Sequence, residues 1–516
     1  MKINIIEYWV ETVASYPNGI AVIDGKKRVE FSQLDIFAKK IATKIIGIVE
    51  GTNRPICVFA PKSVVSIASD IAILYSGNYY LNLDVRAPKD RIIEIIRKIG
   101  PSVLIVDVIT RQLIKDSEFY INCPLLVVSI DEMNEIEEDC IDSSNFPYLR
   151  LIDTDPICII TTSGSTGIPK GVVLNHRSFI DYLEWAVGTF GFSSSDKIGS
   201  LAPIVFDHFS YELILMMSKG SSLLLIPEKA AGFPSELLQI IKDEAVTYIF
   251  WVPTIMVNIS NLNLLQSFKL PDLRTIWFAG EIFQTKHYNY WKKNITQASF
   301  TNLYGPTEIT VDCTYYTVDR EIDDDEPIPI GHACRNTDIL VLSEDMKIIT
   351  IPDQEGELYV RGTSLSMGYY NDPEITYKSF IQNPLNQHYP ETIYRTGDVV
   401  IWNDRGELIF KGRRDTMIKH LGYRIELSEI EHAAVNRAKI VHNAYVTYRL
   451  EDKTIVMAYE SPEEIDIAIL RSALSLYIPK YMLPSQFMHF KAFPMNLNGK
   501  IDRLKMAKEI SILTSL

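Results

Sequence analysis

The chain has 516 residues, of which 47% are hydrophobic and 22% are charged, and its formal net charge is 51 − 65 = −14. These values are typical of a soluble globular protein of two to four domains, and they exclude disordered and fibrous proteins. The negative charge argues against nucleic acid or an anionic membrane as a general partner, while a local basic pocket for a nucleotide stays compatible with it.

The sequence shows no motif for targeting, membrane insertion or metal binding. Its N-terminus lacks the apolar run of a signal peptide, and the most apolar segment, residues 64–83, is interrupted by polar residues such as Asp70 and Asn78. We predict that this segment is a packed helix entering a strand. The six cysteines and nine histidines lack the spacings of zinc sites or disulfide frameworks, so we expect a cytoplasmic protein with reduced thiols.

In the first part of the chain, continuous apolar runs alternate with helix-length segments. Such runs are typical of parallel strands covered on both faces, and the alternation favours an α/β architecture. The predicted strands are residues 56–59, 103–106, 125–129, 157–161, 223–226, 248–252 and 275–279. The predicted helices between them include residues 86–99 and 235–243, and the acidic run 131–139 is predicted to be a solvated loop or helix end.

The pattern changes at the acidic turn formed by residues 319–329, after which the chain becomes β-rich. Five glycines in this stretch are predicted to mark hairpin turns: Gly356, Gly362, Gly397, Gly406 and Gly412. A third pattern follows, with predicted strands at 445–450 and 454–459 and a predicted helix at 465–477. We therefore predict two domains, residues 1–411 and residues 412–516.

The strongest local motif follows the predicted strand 157–161. It is the run Thr161, Thr162, Ser163, Gly164, Ser165, Thr166, Gly167, Ile168, Pro169, Lys170, Gly171. Its hydroxyl and N–H donors and its small residues can wrap phosphate oxygens, and Lys170 adds a positive charge. A Walker A loop has glycine before the lysine, where this chain has Pro169. We predict a nucleotide-binding loop of a different kind.

Four further motifs follow in the sequence, of which TGD and Asn-Gly-Lys are common turn sequences when taken alone. They are NLYGPTE at 302–308, YRTGD at 394–398, GRRD at 412–415 and NGKIDR at 498–503. Together and in this order, the five motifs resemble those of the adenylate-forming superfamily. That superfamily contains acyl-CoA synthetases, luciferases and the adenylation domains of nonribosomal peptide synthetases. The resemblance covers nearly the whole chain.

The resemblance implies an α/β fold with a large N-terminal domain and a mobile C-terminal domain. The N-terminal AMP-binding core would consist of two α/β subdomains and a small β-barrel-like subdomain, and the C-terminal domain would be α+β. The resemblance also implies that Asp415 is the hinge between the domains. Gly422 would lie on a loop lining a pantetheine tunnel.

The resemblance further implies roles for individual residues in binding ATP and Mg²⁺. Tyr304 would stack on adenine, Asn302 would bond its edge, and Thr307 would contact the α-phosphate. Glu308 would hold Mg²⁺, a hard cation that prefers carboxylate oxygen. Asp398 would accept both ribose hydroxyls. The remaining nucleotide-binding positions would be Thr161, Thr162, Ser163, Gly164, Ser165, Thr166, Gly167, Lys170, Leu303, Gly305 and Arg413, of which Thr162 and Lys170 would also be catalytic.

Lys500 would be the catalytic lysine, bridging the substrate carboxylate and the transferring phosphoryl oxygens once the domains close. The segment FDHFSYE at 206–212 is similar to the FDxS segment of amino-acid-activating members, in which the aspartate binds the substrate α-ammonium. Asp207 takes that place, and a buried carboxylate is costly unless it pairs with a cation. The resemblance assigns the other pocket positions to His208, Tyr211, Phe250, Trp277, Ala279, Gly280, Leu303, Val311, Asp312 and Lys500.

The bulky pocket residues favour a small substrate side chain. Asp312 requires a hydroxyl or an amine, since an unpaired buried carboxylate is expensive. Leu303, Val311 and Asp312 resemble the serine-activating pattern, although Phe250 and Ala279 stand where that pattern has histidine and usually serine. We therefore rank serine first, ahead of D-alanine and 2,3-diaminopropionate.

The expected enzyme is a ligase that uses ATP to convert a small amino acid into aminoacyl-AMP and pyrophosphate. It would then transfer the aminoacyl group to the phosphopantetheine thiol of a separate carrier protein, because no carrier motif follows Lys500. One alternative is a D-alanine or 2,3-diaminopropionate carrier protein ligase. A second is an acyl-CoA synthetase for a non-amino acid, which needs no anion at position 207. A third is a non-catalytic nucleotide-binding scaffold.

A Lys500→Ala variant should lose adenylation by about 10²–10³-fold if the lysine acts like one preorganised oxyanion donor. Thioester formation from preformed adenylate should fall much less. ATP–pyrophosphate exchange and single-turnover thiolation measure the two steps, with Lys505→Ala as the control outside the motif. Near-normal adenylation by Lys500→Ala would contradict the role.

Overall fold

The computed structural model describes residues 2–116, 123–134, 144–163, 169–413, 417–494 and 503–514. The chain divides into two compact units. Unit 1 comprises Met1–Val85, Ile99–Thr161 and Gly171–Arg414. Unit 2 comprises Arg86–Lys98, Thr162–Lys170 and Asp415–Leu516. The assignment of domains to residues 1–411 and 412–516 stays a prediction, and the predicted hinge Asp415 lies outside the described residues.

The described helices and strands alternate as expected for an α/β protein. Up to Asn134 they are α1 Ile5–Ser15, β1 Ile20–Asp24, β2 Lys27–Glu30, α2 Phe31–Ile48, β3 Pro55–Phe59, α3 Val64–Tyr75, β4 Tyr79–Asn82, α4 Lys89–Ile99, β5 Val103–Val106, α5 Val108–Asp116, β6 Leu125–Val127 and α6 Asp131–Asn134. From there to Thr317 they are β7 Pro156–Thr162, β8 Lys170–Asn175, α7 His176–Phe190, β9 Lys197–Ser200, α8 Asp207–Lys219, β10 Ser222–Leu225, α9 Pro234–Asp243, β11 Tyr248–Trp251, α10 Pro253–Asn261, β12 Thr275–Phe278, α11 Thr285–Asn294, β13 Ser299–Tyr304 and β14 Thr314–Thr317.

The later part of the chain is richer in strands. Its elements are β15 His332–Ala333, β16 Thr337–Leu342, β17 Gly356–Gly362, α12 Pro373–Ser379, β18 Phe380–Gln382, β19 Thr392–Trp402, β20 Leu408–Arg413, β21 Met417–His420, β22 Tyr423–Glu426, α13 Leu427–His432, β23 Asn443–Arg449, β24 Thr454–Glu460, α14 Ile467–Ser475, β25 Gln486–Phe490 and α15 Arg503–Thr514.

Unit 1 is built on three sheets within its described residues. The first has the strand order β15-β14-β13-β12-β11-β9-β10-β1-β2, and the second has the order β6-β5-β3-β4-β7-β8. Strands β9 to β13 of the first sheet are mutually parallel where they pair, as are β3 to β7 of the second. The third sheet, β16 to β20, is antiparallel. This arrangement matches the predicted pair of α/β subdomains followed by a β-rich one.

Unit 2 is an α+β module. Strands β23 and β24 pair antiparallel, β25 adds in parallel, and β21 and β22 form a hairpin. The apolar side of the three-stranded sheet packs against α13 and α14, with Leu470 and Leu474 fully buried. A buried ion pair between Arg91 and Glu429 fastens the segment Arg86–Lys98 to α13.

The strand predictions are confirmed, since all nine overlap strands of the structure, namely β3, β5, β6, β7, β10, β11, β12, β23 and β24. The predicted helices 86–99, 235–243 and 465–477 correspond to α4, α9 and α14, and residues 64–83 form α3 followed by β4. Residues 319–329 form neither helix nor strand, as expected, and Asp131–Asn134 form a short helix. Among the described residues, no helix has both the length and the apolar character required to cross a bilayer.

The interpretation of the five glycines as hairpin turns is wrong for four of them. Gly406 does lie in the turn between β19 and β20, but Gly356 and Gly362 are the ends of β17, and Gly412 lies within β20. Gly397 lies inside β19 at a register shift of the β17–β19 ladder, with φ 75°. An extra residue in a bulged strand often takes a left-handed conformation, which glycine adopts without strain.

Asp70 of α3 is fully buried, and its Oδ2 accepts a hydrogen bond of 3.0 Å from Asn82 Nδ2. Burial raises the pKa of Asp70 to about 8, against an ordinary value of 3.8. Between these values the folded chain holds a proton that the unfolded chain has released. The free energy of unfolding therefore falls as pH rises through this window.

An Asp70→Asn variant should remove that dependence. Its gain in the free energy of unfolding over the parent should be near zero below pH 4 and should grow to a few kcal/mol by pH 8. Urea unfolding across this range measures the gain. Asp452→Asn is the control, because Arg449 lowers the pKa of Asp452 to about 2 and its pH effect has the opposite sign. A gain that does not change with pH would contradict a protonated Asp70.

Candidate functional site

The predicted substrate residues converge where parallel strands of the first sheet end. Phe250 of β11 and Trp277 of β12 are paired neighbours in register, and Ala279 follows β12 directly. Tyr304 ends β13, the next strand across the sheet. Ligands of open α/β sheets bind at the carboxyl ends of such strands, so the topology itself places a site here.

Four of the predicted pocket residues form one continuous aromatic wall. The Tyr211 ring stacks on Trp277 at 5.7 Å between centroids and 12° between planes. Phe250 meets Trp277 edge-on at 5.6 Å, and His208 stacks on Phe250 at 4.2 Å. Tyr211, Phe250 and Trp277 are buried and His208 is half-buried. The wall is therefore made of bulky and largely buried rings.

Asp207 is the first residue of α8 and is buried, with 7% of its surface exposed. The backbone N–H of His208 donates to its Oδ1 at 2.9 Å. A helix N-terminus stabilises a nearby negative charge, so this position supports a carboxylate in an otherwise aromatic environment. Asp207 can therefore present an anion to a cationic substrate group.

Val311 and Asp312 lie in a tight loop between β13 and β14, where Thr310 and Val311 have φ values of 58° and 67°. Gly305 makes this loop possible. A Cβ at position 305 would lie 2.4 Å from Asp312 Cα and 2.5 Å from Val311 O. The glycine of the NLYGPTE motif thus allows Asp312 to reach the pocket.

Asp312 is buried, and the hydroxyl of Tyr182 donates to its Oδ2 at 2.9 Å. Tyr182 lies in α7 and was not among the predicted site residues. Burial, with Asp312 next in importance, raises the pKa of Tyr182 well above its ordinary value, so the phenol keeps its proton and acts as the donor. No motif surrounds Tyr182 in the sequence, so only the fold reveals this contact.

The predicted ribose group is assembled within unit 1. Asp398 and Arg413 pair across strands β19 and β20, and their side chains form an ion pair. The Tyr304 hydroxyl donates to the other oxygen of Asp398, and Arg413 also donates to Thr396 O at 3.0 Å. Asn302 Nδ2 donates to Pro329 O at 2.7 Å. Tyr304, Asp398 and Arg413 therefore form one connected polar cluster.

Glu308 is fully buried, and the hydroxyl of Tyr369 donates to its Oε1 at 2.6 Å. Tyr369 is a second residue that the sequence motifs did not indicate. Within the described residues, no group of three or more His, Cys, Asp or Glu side chains could hold a metal ion. Mg²⁺ commonly takes one or two protein carboxylates and completes its shell with water and substrate phosphates. The single carboxylate of Glu308 fits that mode of binding.

The phosphate loop begins at the end of β7 with Thr161 and Thr162. In unit 2, Ser163 Oγ donates to Arg424 O at 2.8 Å and accepts from Glu426 N at 3.0 Å. Lys170 starts β8. The predicted residues Gly164, Ser165, Thr166, Gly167, Asp415 and Lys500 lie outside the described residues.

The remaining predicted residues lie beside those already placed. Leu303 is buried in β13, Gly280 follows Ala279 with φ 89°, and Thr307 directly precedes Glu308. Unit 1 thus brings together the aromatic wall, Asp207 and Asp312, and it also assembles the Tyr304–Asp398–Arg413 cluster.

The family model described as AMP-binding enzyme matches residues 9–370. The chain belongs to the AMP-binding enzyme family. Gramicidin S synthase 2 from Aneurinibacillus migulanus is 30% identical over 502 residues, covering 97% of this chain and 11% of that protein. Tyrocidine synthase 1 from Brevibacillus parabrevis is 27% identical over 503 residues, covering 97% of this chain and 44% of that protein. This AMP-binding enzyme therefore spans less than half the length of these curated relatives.

Solved structures share the fold of this AMP-binding enzyme over its whole length. The adenylation domain AlmE from Vibrio cholerae, in complex with glycyl-adenosine-5'-phosphate, has a TM-score of 0.83 at 21% identity and covers 98% of each chain. NpsA–ThdA, an artificially fused adenylation–PCP di-domain from Klebsiella oxytoca, has a TM-score of 0.80 at 21% identity, covering 100% of this chain and 98% of that one. These likenesses confirm the predicted adenylate-forming fold.

An Arg413→Ala variant should lower the free energy of unfolding by about 3 kcal/mol, because it leaves the buried Asp398 without its cation. Urea unfolding measures this loss. Arg405→Ala is the matched control, since Arg405 is largely exposed where it pairs with Glu326 and surface pairs contribute at most about 1 kcal/mol. Equal losses in the two variants would contradict a buried, structural Arg413–Asp398 pair.

Proposed function

We propose that this protein activates a small amino acid, serine first among the candidates, as its aminoacyl-AMP. It then transfers the aminoacyl group to the phosphopantetheine thiol of a separate carrier protein. The observation that carries the proposal is the buried carboxylate of Asp207 at the start of α8, beside the aromatic wall of Tyr211, Phe250 and Trp277.

Asp207 supports an amino acid over a plain carboxylic acid. A buried carboxylate gains most from a cationic partner, and the α-ammonium group of an amino acid supplies one. An acyl-CoA synthetase for a non-amino acid has no use for an anion here. The structural neighbour AlmE, which was solved in complex with glycyl-adenosine-5'-phosphate, supports the same class of substrate.

The pocket wall supports a small side chain that carries a hydroxyl. Trp277 Nε1 and the Tyr211 hydroxyl are buried and have no hydrogen-bond partner among the described residues. An indole N–H can only donate, so it requires an oxygen acceptor. A serine hydroxyl can accept from such a donor and can also donate to Asp312. The ammonium of 2,3-diaminopropionate can only donate, and the methyl group of D-alanine can do neither.

In the adenylation step, a carboxylate oxygen of the amino acid attacks the α-phosphorus of ATP. The bond between that phosphorus and the pyrophosphate oxygen breaks, and pyrophosphate leaves with the electron pair. The protein positions the two reactants and neutralises their charge. Tyr304 and Asn302 hold the adenine, and Asp398 with Arg413 holds the ribose.

The phosphate loop, Lys500 and Glu308 serve to neutralise the negative charges of the reactants. The hydroxyls of Thr161 and Thr162 and the ammonium of Lys170 bind the phosphates, while Lys500 bridges the attacking carboxylate and the phosphoryl oxygens. Bound Mg²⁺, held by Glu308, supplies positive charge that neutralises the phosphates. Asp415 serves as the hinge that brings Lys500 in and withdraws it.

In the second step, the pantetheine thiolate attacks the carbonyl of the aminoacyl-AMP, and AMP leaves. The carrier protein as partner is supported by solved neighbours such as NpsA–ThdA, in which adenylation and PCP domains occur together. In that structure the two domains are artificially fused. A thiol delivered by a separate protein agrees with that arrangement.

ATP–pyrophosphate exchange with a panel of acids tests the proposal. The panel contains L- and D-serine, alanine, threonine, 2,3-diaminopropionate, ornithine and benzoates. We expect exchange with serine above all others, and an Asp207→Asn variant should lose about 30-fold or more of it, because truncating one partner of a buried charge pair costs at least about 2 kcal/mol. Binding of ATP alone should be unchanged.

Asp35→Asn is the control, since Asp35 is also buried but accepts from Trp9 and Tyr75 in another part of unit 1. Full activity of Asp207→Asn with a benzoate, or of Asp207→Ala with any acid, would favour the acyl-CoA synthetase. The absence of pyrophosphate exchange with every acid in the panel, with ATP binding retained, would indicate a non-catalytic nucleotide-binding scaffold.

A further inference from the structure

A buried hydrogen bond joins Tyr182 to Asp312, a residue predicted to contact the substrate side chain. Asp312 has 1% of its surface exposed, and Tyr182 has 4%. Tyr182 projects from α7, whereas Asp312 lies in the loop after β13, so the contact joins two elements that are 130 positions apart in the chain. The 2.9 Å distance from Tyr182 Oη to Asp312 Oδ2 is that of a good hydrogen bond.

Phenols dominate the surroundings of the Asp312 carboxylate. Burial is the main cause that raises the pKa values of Tyr182, Tyr211 and Tyr248, and the charge of Asp312 makes a smaller contribution to each. The Tyr182 and Tyr211 rings lie 5.0 Å apart, edge to face. These rings hold Tyr182 in place, so its hydroxyl is oriented toward Asp312 before any substrate arrives.

A carboxylate that already accepts a hydrogen bond gains less from a further donor than one that lacks it. Burying a polar group without a partner costs far more than adding a second bond gains. The strength with which Asp312 selects for a hydroxyl or an amine on the substrate therefore depends on Tyr182. The residues at the predicted pocket positions do not include Tyr182, so they alone do not determine this preference.

We propose that Tyr182 is a specificity-determining residue, whose hydroxyl partly satisfies Asp312 and so moderates the preference of the pocket for side chains that donate a hydrogen bond. This inference rests on the proposed function. Tyr182 lies outside the predicted pocket positions, yet it would influence how strongly the enzyme discriminates between alanine, serine and 2,3-diaminopropionate. Tyr182 does not contact the reacting atoms, so its role is that of a positioning residue.

The test is the ratio of kcat/KM for serine to that for alanine, and for 2,3-diaminopropionate to alanine, in ATP–pyrophosphate exchange. A Tyr182→Phe variant should raise both ratios by about tenfold or more, since hydrogen bonds to a charged group are worth more than neutral ones. The rise should be larger for the diamino acid, whose ammonium also neutralises the freed carboxylate.

Tyr248→Phe is the matched control. Tyr248 is equally buried and packs on Trp277 at 5.3 Å, but its hydroxyl has no hydrogen-bond partner among the described residues. Its removal should leave both ratios within twofold of the parent. The same change in Tyr182→Phe and Tyr248→Phe would show a general loosening of the aromatic cluster and overturn the proposal.

A double-mutant cycle with Asp312→Asn isolates the contact. In the Asp312→Asn background, Tyr182→Phe should change the ratios less than twofold, because the carboxylate that it served is gone. Equal effects in both backgrounds would overturn the proposal, as would an active Tyr182→Phe variant with unchanged ratios.

The outcomes separate this inference from the function on which it depends. If the parent protein shows no pyrophosphate exchange with any amino acid, both the proposed function and the role of Tyr182 are overturned. A parent that activates amino acids, together with a Tyr182→Phe variant of unaltered selectivity, overturns this inference alone.

Discussion

A carboxylate that leaves water must find its partners inside the protein, and unit 1 places two of them, Asp207 and Asp312, against a wall of aromatic rings. A buried charge without a partner lowers the free energy of unfolding by several kcal/mol, which is comparable with the whole stability of many domains. Each carboxylate is therefore supported locally. Asp207 lies at a helix N-terminus, and Asp312 accepts from Tyr182. The proposed function uses both of these locally supported carboxylates to bind the substrate.

Much of the fold could be predicted because its physical basis is local. Parallel strands covered on both faces must be apolar throughout, so β3, β5, β11 and β12 are visible as continuous apolar runs. Motif residues such as Tyr304, Asp398 and Arg413 were predicted from resemblance, and the structure brings these three into contact. Tyr304 lies 94 positions before Asp398 in the chain, so only a resemblance could have joined these two residues in advance.

What escaped prediction depends on tertiary contact. Tyr182 and Tyr369 are ordinary tyrosines in the sequence, and their importance arises only because the fold places their hydroxyls on Asp312 and Glu308. The glycines of the β-rich region were misinterpreted for a related reason. Turn propensity is a local property, whereas a bulge at Gly397 or close packing at Gly356 depends on the neighbouring strand. The separation of unit 2 into three chain segments likewise follows from packing and has no local pattern.

Gly305 belongs by sequence to the nucleotide motif, yet the atoms that forbid a side chain there are those of Val311 and Asp312. In the proposed function, one continuous piece of backbone therefore contacts both reactants, with Tyr304 assigned to the purine and Asp312 to the amino acid side chain. Evolution of a new amino acid preference in this loop is confined to changes that keep the approach to residue 305 intact. Under the proposed function, the side chains at 311 and 312 are free to change with the substrate, while the main-chain path is fixed by the close approach to Gly305.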